Sequence, residues 1–290
     1  MSSEDTAKTP VTPVPAATVI MLRDGTEGLE VLMVQRTRKA DFAGGALLFP
    51  GGKVDAADLD VINGGRCALP ADIPEHLRAI RVAGVREVFE EANILFARES
   101  GATELISEDR AKALSLKYRQ PLLDREVTLH DIAEAEDLQV ASDRLVPFAH
   151  WITPESSRRR FDTHFLVARA PTGQLAHHDD WETLETIWIE PLTAITDAEA
   201  DRRRVVFPTR MNLKKVSQSA TADAAVDLAA RTPVVTVLPV TKEVDGKRFI
   251  KIPIEAGYGI SEALVEYSAS DQPPPPGHQQ APKPTNSKEG

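Results

Sequence analysis

The chain has 290 residues, 42% of them hydrophobic and 27% charged, ordinary values for a soluble protein that forms one large domain or one domain with an extension. Its formal net charge of −10 argues against a non-specific nucleic-acid binder, which needs a positive footprint, but leaves room for small anionic substrates in a local positive pocket. No apolar run approaches the ~18 residues of a membrane span, the first residues lack a signal-peptide core, and the single cysteine, Cys67, allows no internal disulfide, so a cytoplasmic protein with no membrane partner is expected.

Residues 1–15 are polar and proline-spaced and read as a disordered lead. Two strands follow at 16–22 and 29–34, joined by a turn over 23–28, and a third short strand at 46–49 is stopped by Pro50-Gly51-Gly52. A polar stretch with Asn63-Gly64-Gly65, Pro70 and Pro74 leads to a helix over 75–92. Leu77, Ile80, Gly84, Val85, Val88 and Ala92 form its apolar stripe and leave Glu87, Glu90 and Glu91 off it, while Asn93 suits a left-handed helix end. Further helices are read at 109–118, 129–138, 191–200 and 211–230, and strands at 161–168 and 186–189. Strand pairs over 233–254 turn at Asp245-Gly246, and the proline-rich residues 268–290 read as a disordered tail. Strands and helices are interspersed without regular alternation, which favours a mixed sheet flanked by helices.

The chemistry-bearing segment is Arg86-Glu87-Val88-Phe89-Glu90-Glu91. Glu87 and Glu91 are four apart and project from one helix face, with Glu90 on the adjacent edge. Like charges at this spacing cost roughly 0.2–0.5 kcal/mol per pair, so a bound cation explains the cluster better than chance does. Hard carboxylate oxygens suit magnesium, which is commonly completed by substrate phosphates. A solvated acidic face is the plain alternative for the cluster taken alone.

Taken together, Gly52, Asp58 and Arg86-Glu87-Val88-Phe89-Glu90-Glu91-Ala92-Asn93-Ile94 resemble the Nudix hydrolase box. Asp58 stands where the first Glu of the box is expected, and Asn93 replaces a glycine. The spacer from Leu59 to Val85 is 27 residues where the family has seven, an insertion of 20 residues that the Gly/Pro-rich stretch over about 59–74 can loop out. More narrowly, the chain resembles the long-insertion subgroup that includes peroxisomal coenzyme A diphosphatases. That likeness is carried by Gln35-Arg36-Thr37, the segment 49–58, the segment 86–95, Arg160-Phe161-Asp162-Thr163, and Glu182 with Trp188. Arg36, Gly45 and Phe49 keep the spacing of the coenzyme A pattern, whereas Asp41 stands where its second Arg is expected.

The resemblance implies an α/β fold, a Nudix-type α/β/α sandwich with a mixed β-sheet, over residues 16–200, with a C-terminal α+β extension over 201–267 packed on it. It implies Mg²⁺ or Mn²⁺ held by Glu87, Glu91 and Glu90, joined by the Gly52 carbonyl, and attack of water on a diphosphate. Arg86 orients a carboxylate through a forked hydrogen bond, and Glu90 or Glu182 is the catalytic base. Arg36, Lys53 and the Gly51 backbone are candidates for substrate phosphates, with plain surface charge the alternative for Arg36 and Lys53. The expected substrate is a nucleoside diphosphate derivative, coenzyme A or acyl-coenzyme A first. ADP-ribose or a dinucleotide is the second reading, and a non-catalytic nucleotide sensor is a third of another class. A homodimer is compatible with this reading. His164, His177 and His178 are poorly spaced for a closed zinc site and receive no metal; Trp151 and Trp188 read as core or pocket-wall aromatics.

Overall fold

The computed structural model describes residues 11–35, 46–70, 72–174 and 185–264. Arg36, Thr37, Asp41, Gly45, His177, His178, Glu182 and the tail over 268–290 lie outside the described residues.

The first half of the chain forms β1 (Val14–Asp24), β2 (Leu29–Gln35), β3 (Leu47–Leu48), β4 (Gly51–Lys53), α1 (Asp58–Asn63), α2 (Glu75–Ala92), β5 (Ala97–Glu99), α3 (Glu108–Leu123), α4 (Leu129–Ala135) and β6 (Leu138–Val140). The second half forms β7 (Val146–Ile152), β8 (Phe161–Arg169), β9 (Glu185–Ile189), α5 (Pro191–Glu199), α6 (Phe207–Val216), α7 (Ala222–Arg231), β10 (Thr236–Val237), β11 (Val240–Val244), β12 (Lys247–Lys251) and β13 (Glu262–Leu264). The main sheet runs β10-β7-β8-β1-β2-β3, with β4 added to β1 and β9 to β2. β1 is parallel to β8 and antiparallel to β2 and β4, so the sheet is mixed.

Strand periodicity divides the core into two layers. Ala17, Val19 and Met21 of β1 face Val85, Val88 and Phe89 of α2. Ile20 and Leu22 face the opposite way, into a second cluster with Leu213, Val216 and Ala225 of α6 and α7. β1 therefore reads as a near-continuous apolar run, because both of its faces are covered. The result is the helix–sheet–helix sandwich expected. Its second helical layer is drawn largely from residues beyond 200, so the segment 201–264 shares the central core. Only β11, β12 and β13 form a sheet of their own, whose hairpin turns on Asp245 and Gly246, both at positive φ.

Several elements depart from the sequence reading. Residues 11–15 are ordered: Arg160 donates to the Val11 carbonyl at 2.8 Å, and the Val14 amide donates to Arg160 O at 2.9 Å. The insertion is not a plain loop. It contains α1, with Val61 fully buried, and Arg66 to Ala68 pair with Val140, extending the small β5–β6 sheet. The helix read over 211–230 is two helices, parted at 217–221, because Thr221 accepts from the Ala224 amide and caps α7. β7 went unread because Pro147 breaks its pattern; a bulge between Pro147 and Ala149 accommodates it.

Candidate active site

α2 delivers the acidic cluster, and β4 delivers the glycines. Asn93 ends α2 in the left-handed conformation (φ 59°), so the chain turns away one residue after the last turn that carries Glu90 and Glu91. Gly51 and Gly52 lie along Thr18 and Ala17 of β1. A Cβ on Gly51 would overlap the Ala17 carbonyl, so that position requires glycine on packing grounds, whereas one on Gly52 would displace the Glu87 carboxylate. The Gly51 amide donates to Glu91 Oε2 at 2.9 Å.

Arg86 binds the two halves together. It grips Asp58 with a fork, Nε to Oδ1 at 2.8 Å and Nη2 to Oδ2 at 3.2 Å. It also donates to Glu87 Oε1 at 2.8 Å, to Glu90 Oε1 at 3.2 Å, and to the Lys53 carbonyl at 2.8 Å. Asp58 is 1% exposed, and it closes its own loop by accepting from the Asp55 amide. Burial works against the Arg86 charge, but the Asp58 hydrogen bond and the surrounding carboxylates more than restore it and hold the guanidinium firmly protonated.

The carboxylates behave differently. Burial pushes Glu87 up to about 7 against the opposing pull of Arg86, with Glu90 adding to the rise. Burial also raises Glu90. Asp58, Glu87 and Glu90 thus gather around a single guanidinium, with Glu91 held at the Gly51 amide. A hard divalent cation is the group that this donor set fits.

No family model matches the chain. It is similar to putative nudix hydrolase 7 of Caenorhabditis elegans, 29% identical over 208 residues, which cover 70% of this chain and 60% of that protein. It is also similar to the acyl-coenzyme A diphosphatase NUDT19 of Xenopus laevis, 22% identical over 233 residues, 67% of this chain and 61% of that one. The chain thus spans about three fifths of the length of these curated relatives. Among solved structures, a NUDIX hydrolase from Alicyclobacillus acidocaldarius superposes with a TM-score of 0.60 at 23% identity, covering 77% of this chain and 99% of that one. The chain shares the fold of that NUDIX hydrolase.

The fold brings Glu87, Glu90, Glu91, Arg86, Gly51 and Gly52 together across 40 positions of sequence. Lys53 reaches the cluster through its backbone carbonyl, while its side chain is exposed. Arg36 and Glu182 lie outside the described residues, and nothing about their placement follows. Trp151 is a core residue, its indole N–H donating to Tyr258 Oη at 2.8 Å, which in turn donates to Asn212. Trp188 is half-buried under the Arg23 guanidinium, 4.3 Å from the ring centre. Cys67 is a half-buried thiol beside Ser142, and burial pushes it up to about 11, which makes it inert.

Sequence reasoning passed over a second cluster. His150, Asp162 and His164 lie on the α2-facing side of β7 and β8, and one ligand atom from each falls within 4.8 Å of the others. They were missed because His150 sits in the unread strand β7, on the other hairpin arm from Asp162 and His164. Alternation along 161–168 does place Asp162 and His164 on one face, and that signal was there to be used. Among the described residues no helix is long and apolar enough to cross a membrane.

Proposed function

We propose that this chain is a metal-dependent hydrolase that cleaves the diphosphate linkage of a nucleoside diphosphate derivative. The observation that carries the reading is the Arg86 hub, which holds Asp58, Glu87 and Glu90 against the Gly51–Lys53 backbone. Mg²⁺ or Mn²⁺ held by Glu87, Glu90 and Glu91, with the Gly52 carbonyl, would neutralise diphosphate oxygens and acidify an attacking water. Arg86 fixes the directions of Glu87 and Glu90, so that the carboxylates are set before substrate arrives. Glycine at 52 leaves the Glu87 carboxylate in contact with main chain, where a larger residue would displace it. Glu90 or Glu182 serves as the base, and Arg36, Lys53 and the Gly51 backbone meet the substrate phosphates.

Coenzyme A or acyl-coenzyme A is the favoured substrate. Its support is the Arg36, Gly45 and Phe49 spacing and the similarity to a protein named as an acyl-coenzyme A diphosphatase. The free Cys67 thiol fits a reducing cytosol. The test is to incubate the purified chain with Mg²⁺ or Mn²⁺ and coenzyme A, acyl-coenzyme A, ADP-ribose and diadenosine polyphosphates. Release of 3′,5′-ADP and a phosphopantetheine product from the first two is expected. Faster turnover of ADP-ribose or a dinucleotide would move the substrate. Tight nucleotide binding with no hydrolysis of any of them would leave a sensor instead.

A further inference from the structure

The His150, Asp162 and His164 cluster lies apart from the carboxylates of α2, and nothing in the diphosphate reaction uses it. His150 and His164 are directly opposed across the antiparallel β7–β8 pair, and their rings stack at 4.0 Å with 12° between planes. Asp162 is two residues from His164 on the same face. Its Oδ1 lies 3.9 Å from His164 Nε2 and hydrogen-bonds His150 Nε2. On the other side of His150, Thr236 of β10 is its direct parallel partner, with Oγ1 2.8 Å from Nδ1. The three residues are neither fully buried nor exposed, and the histidines line a cavity whose far wall is the first turns of α2, with His76, Leu77 and Ile80.

The geometry points to a second metal site in which His150 Nε2, His164 Nε2 and an Asp162 oxygen bind a divalent transition ion of the zinc class. The donor set is two neutral imidazoles and a carboxylate, the three-ligand composition that zinc accepts with a fourth position left open. The cavity beside the histidines is also lined by His76 and Arg81. Zn–N bonds of about 2.0–2.1 Å put tetrahedral ligand atoms roughly 3.4 Å apart, close to the 3.9 Å pair and the 4.8 Å spread of the cluster, and metal binding requires the stacked rings to rotate so that their in-plane lone pairs converge. The Asp162 carboxylate can only accept, so without metal His150 Nε2 carries the proton; metal binding displaces that proton, and an Nδ1–H donating to the Thr236 hydroxyl then supplies the outer contact that metal-binding histidines usually have. The site joins β7, β8 and β10 beside the start of α2. Across β1, Ala17 pairs with both His164 of β8 and Gly52 of β4, so two strand spacings, roughly 10 Å, lie between the histidines and the glycines beside Glu87; the two clusters are neighbours that share no residue.

Chelator-stripped full-length protein, held in excess Mg²⁺ to occupy the hard carboxylates, is titrated with Zn²⁺ by calorimetry and with Co²⁺ by visible absorption. One equivalent of Zn²⁺ should bind, raise Tm by about 5 °C at saturation, and give with Co²⁺ the intense band of a four-coordinate ion. Glu91→Gln should bind zinc as the wild type does. His164→Ala and Asp162→Asn should lose roughly 100-fold or more of the affinity together with the cobalt band. Thr236→Val should weaken binding by roughly 10-fold or more through its effect on His150. Thermal melting without metal establishes that each variant is folded; Asp162→Asn, being isosteric, carries the comparison if His164→Ala is not. Failure of the wild type to take up zinc in Mg²⁺, or uptake that survives both His164→Ala and Asp162→Asn, overturns the site. Neither result depends on whether the chain hydrolyses diphosphates.

Discussion

Arg86 shows how much a single side chain can organise. Its five donors serve Asp58, Glu87, Glu90 and the Lys53 carbonyl, and Asp58 is almost wholly buried. Lysine keeps the charge but not the planar fork, so Arg86→Lys leaves Asp58 short of hydrogen bonds in a low-dielectric site. The expected cost is about 2–4 kcal/mol in urea unfolding, together with a loss of turnover of roughly 100-fold or more from misaligned carboxylates. Unchanged unfolding would remove Arg86 from its place as the hub. Gly52→Ala separates geometry from stability. The new methyl displaces the Glu87 carboxylate rather than core atoms, so turnover should fall roughly 100-fold while Tm moves by only a few degrees; normal turnover would argue against Glu87 as a metal ligand. The spacing of Glu87, Glu90 and Glu91 was legible in the sequence because a helix fixes it locally. The Asp58–Arg86 fork was legible only as a box position, since 28 residues separate the partners and no local rule joins them. The histidine cluster was legible only in part: alternation puts Asp162 and His164 on one face, but the pairing that sets His150 opposite joins β8 to β7, a strand that the sequence does not announce.

At the scale of elements, α3 and the end of α4 are held by Glu136. It accepts from Lys117 Nζ at 2.7 Å and Tyr118 Oη at 2.6 Å, and it pairs with Arg110 at 3.0 Å. The Lys117 and Tyr118 hydrogen bonds lead the shift that lowers Glu136 to about 2. A carboxyl depressed in the folded state stabilises above its unfolded pKa of about 4.5 and loses that contribution as pH falls toward 2. Glu136→Gln should therefore cost roughly 1 kcal/mol at pH 7, a value kept small by solvent screening. It should also flatten the acid limb of stability between about pH 4.5 and 2, measured by urea unfolding across that range. An identical pH dependence in variant and wild type would refute the linkage. α2 was the most legible element, with Pro74 at its start, Asn93 at its end and an apolar stripe between. α6 and α7 were less so, because the break between them is a capping event at Thr221 inside a run whose apolar spacing continues across it. α1 escaped notice because six residues are too few for periodicity to speak.

Over the whole molecule, the sheet is covered on one side by α2 and on the other largely by α6 and α7. A chain ending at residue 200 would leave Ile20, Leu22, Met33, Phe49 and Trp151 facing water. Burying side chains of this size stabilises by about 1.5–3 kcal/mol each, comparable in sum with the whole stability of a domain. Such a chain should show no cooperative melt and should bind hydrophobic dyes, whereas a sharp transition would make 201–264 dispensable. The mixed-sheet sandwich was readable from interspersed elements. The role of α6 and α7 as its second cover was not, because an amphipathic helix does not announce which sheet it will lie on.

The pairing of β4 with β1 has a consequence for how the site opens. Lys53 and Val54 donate or pair along Ala16 and Pro15 of β1, the strand that β8 flanks on its other edge. Segments that bind substrate are commonly among the first parts of a protein to exchange their amide hydrogens with solvent. Here the floor of the site is stitched into the most enclosed strand, so the Val54 amide, which donates to the Pro15 carbonyl, should be among the slowest in the chain, exchanging only when the molecule unfolds globally. The cradle beneath the diphosphate would then be the last surface to loosen on heating, and adaptation to different substrates would fall to segments that the central strand does not hold.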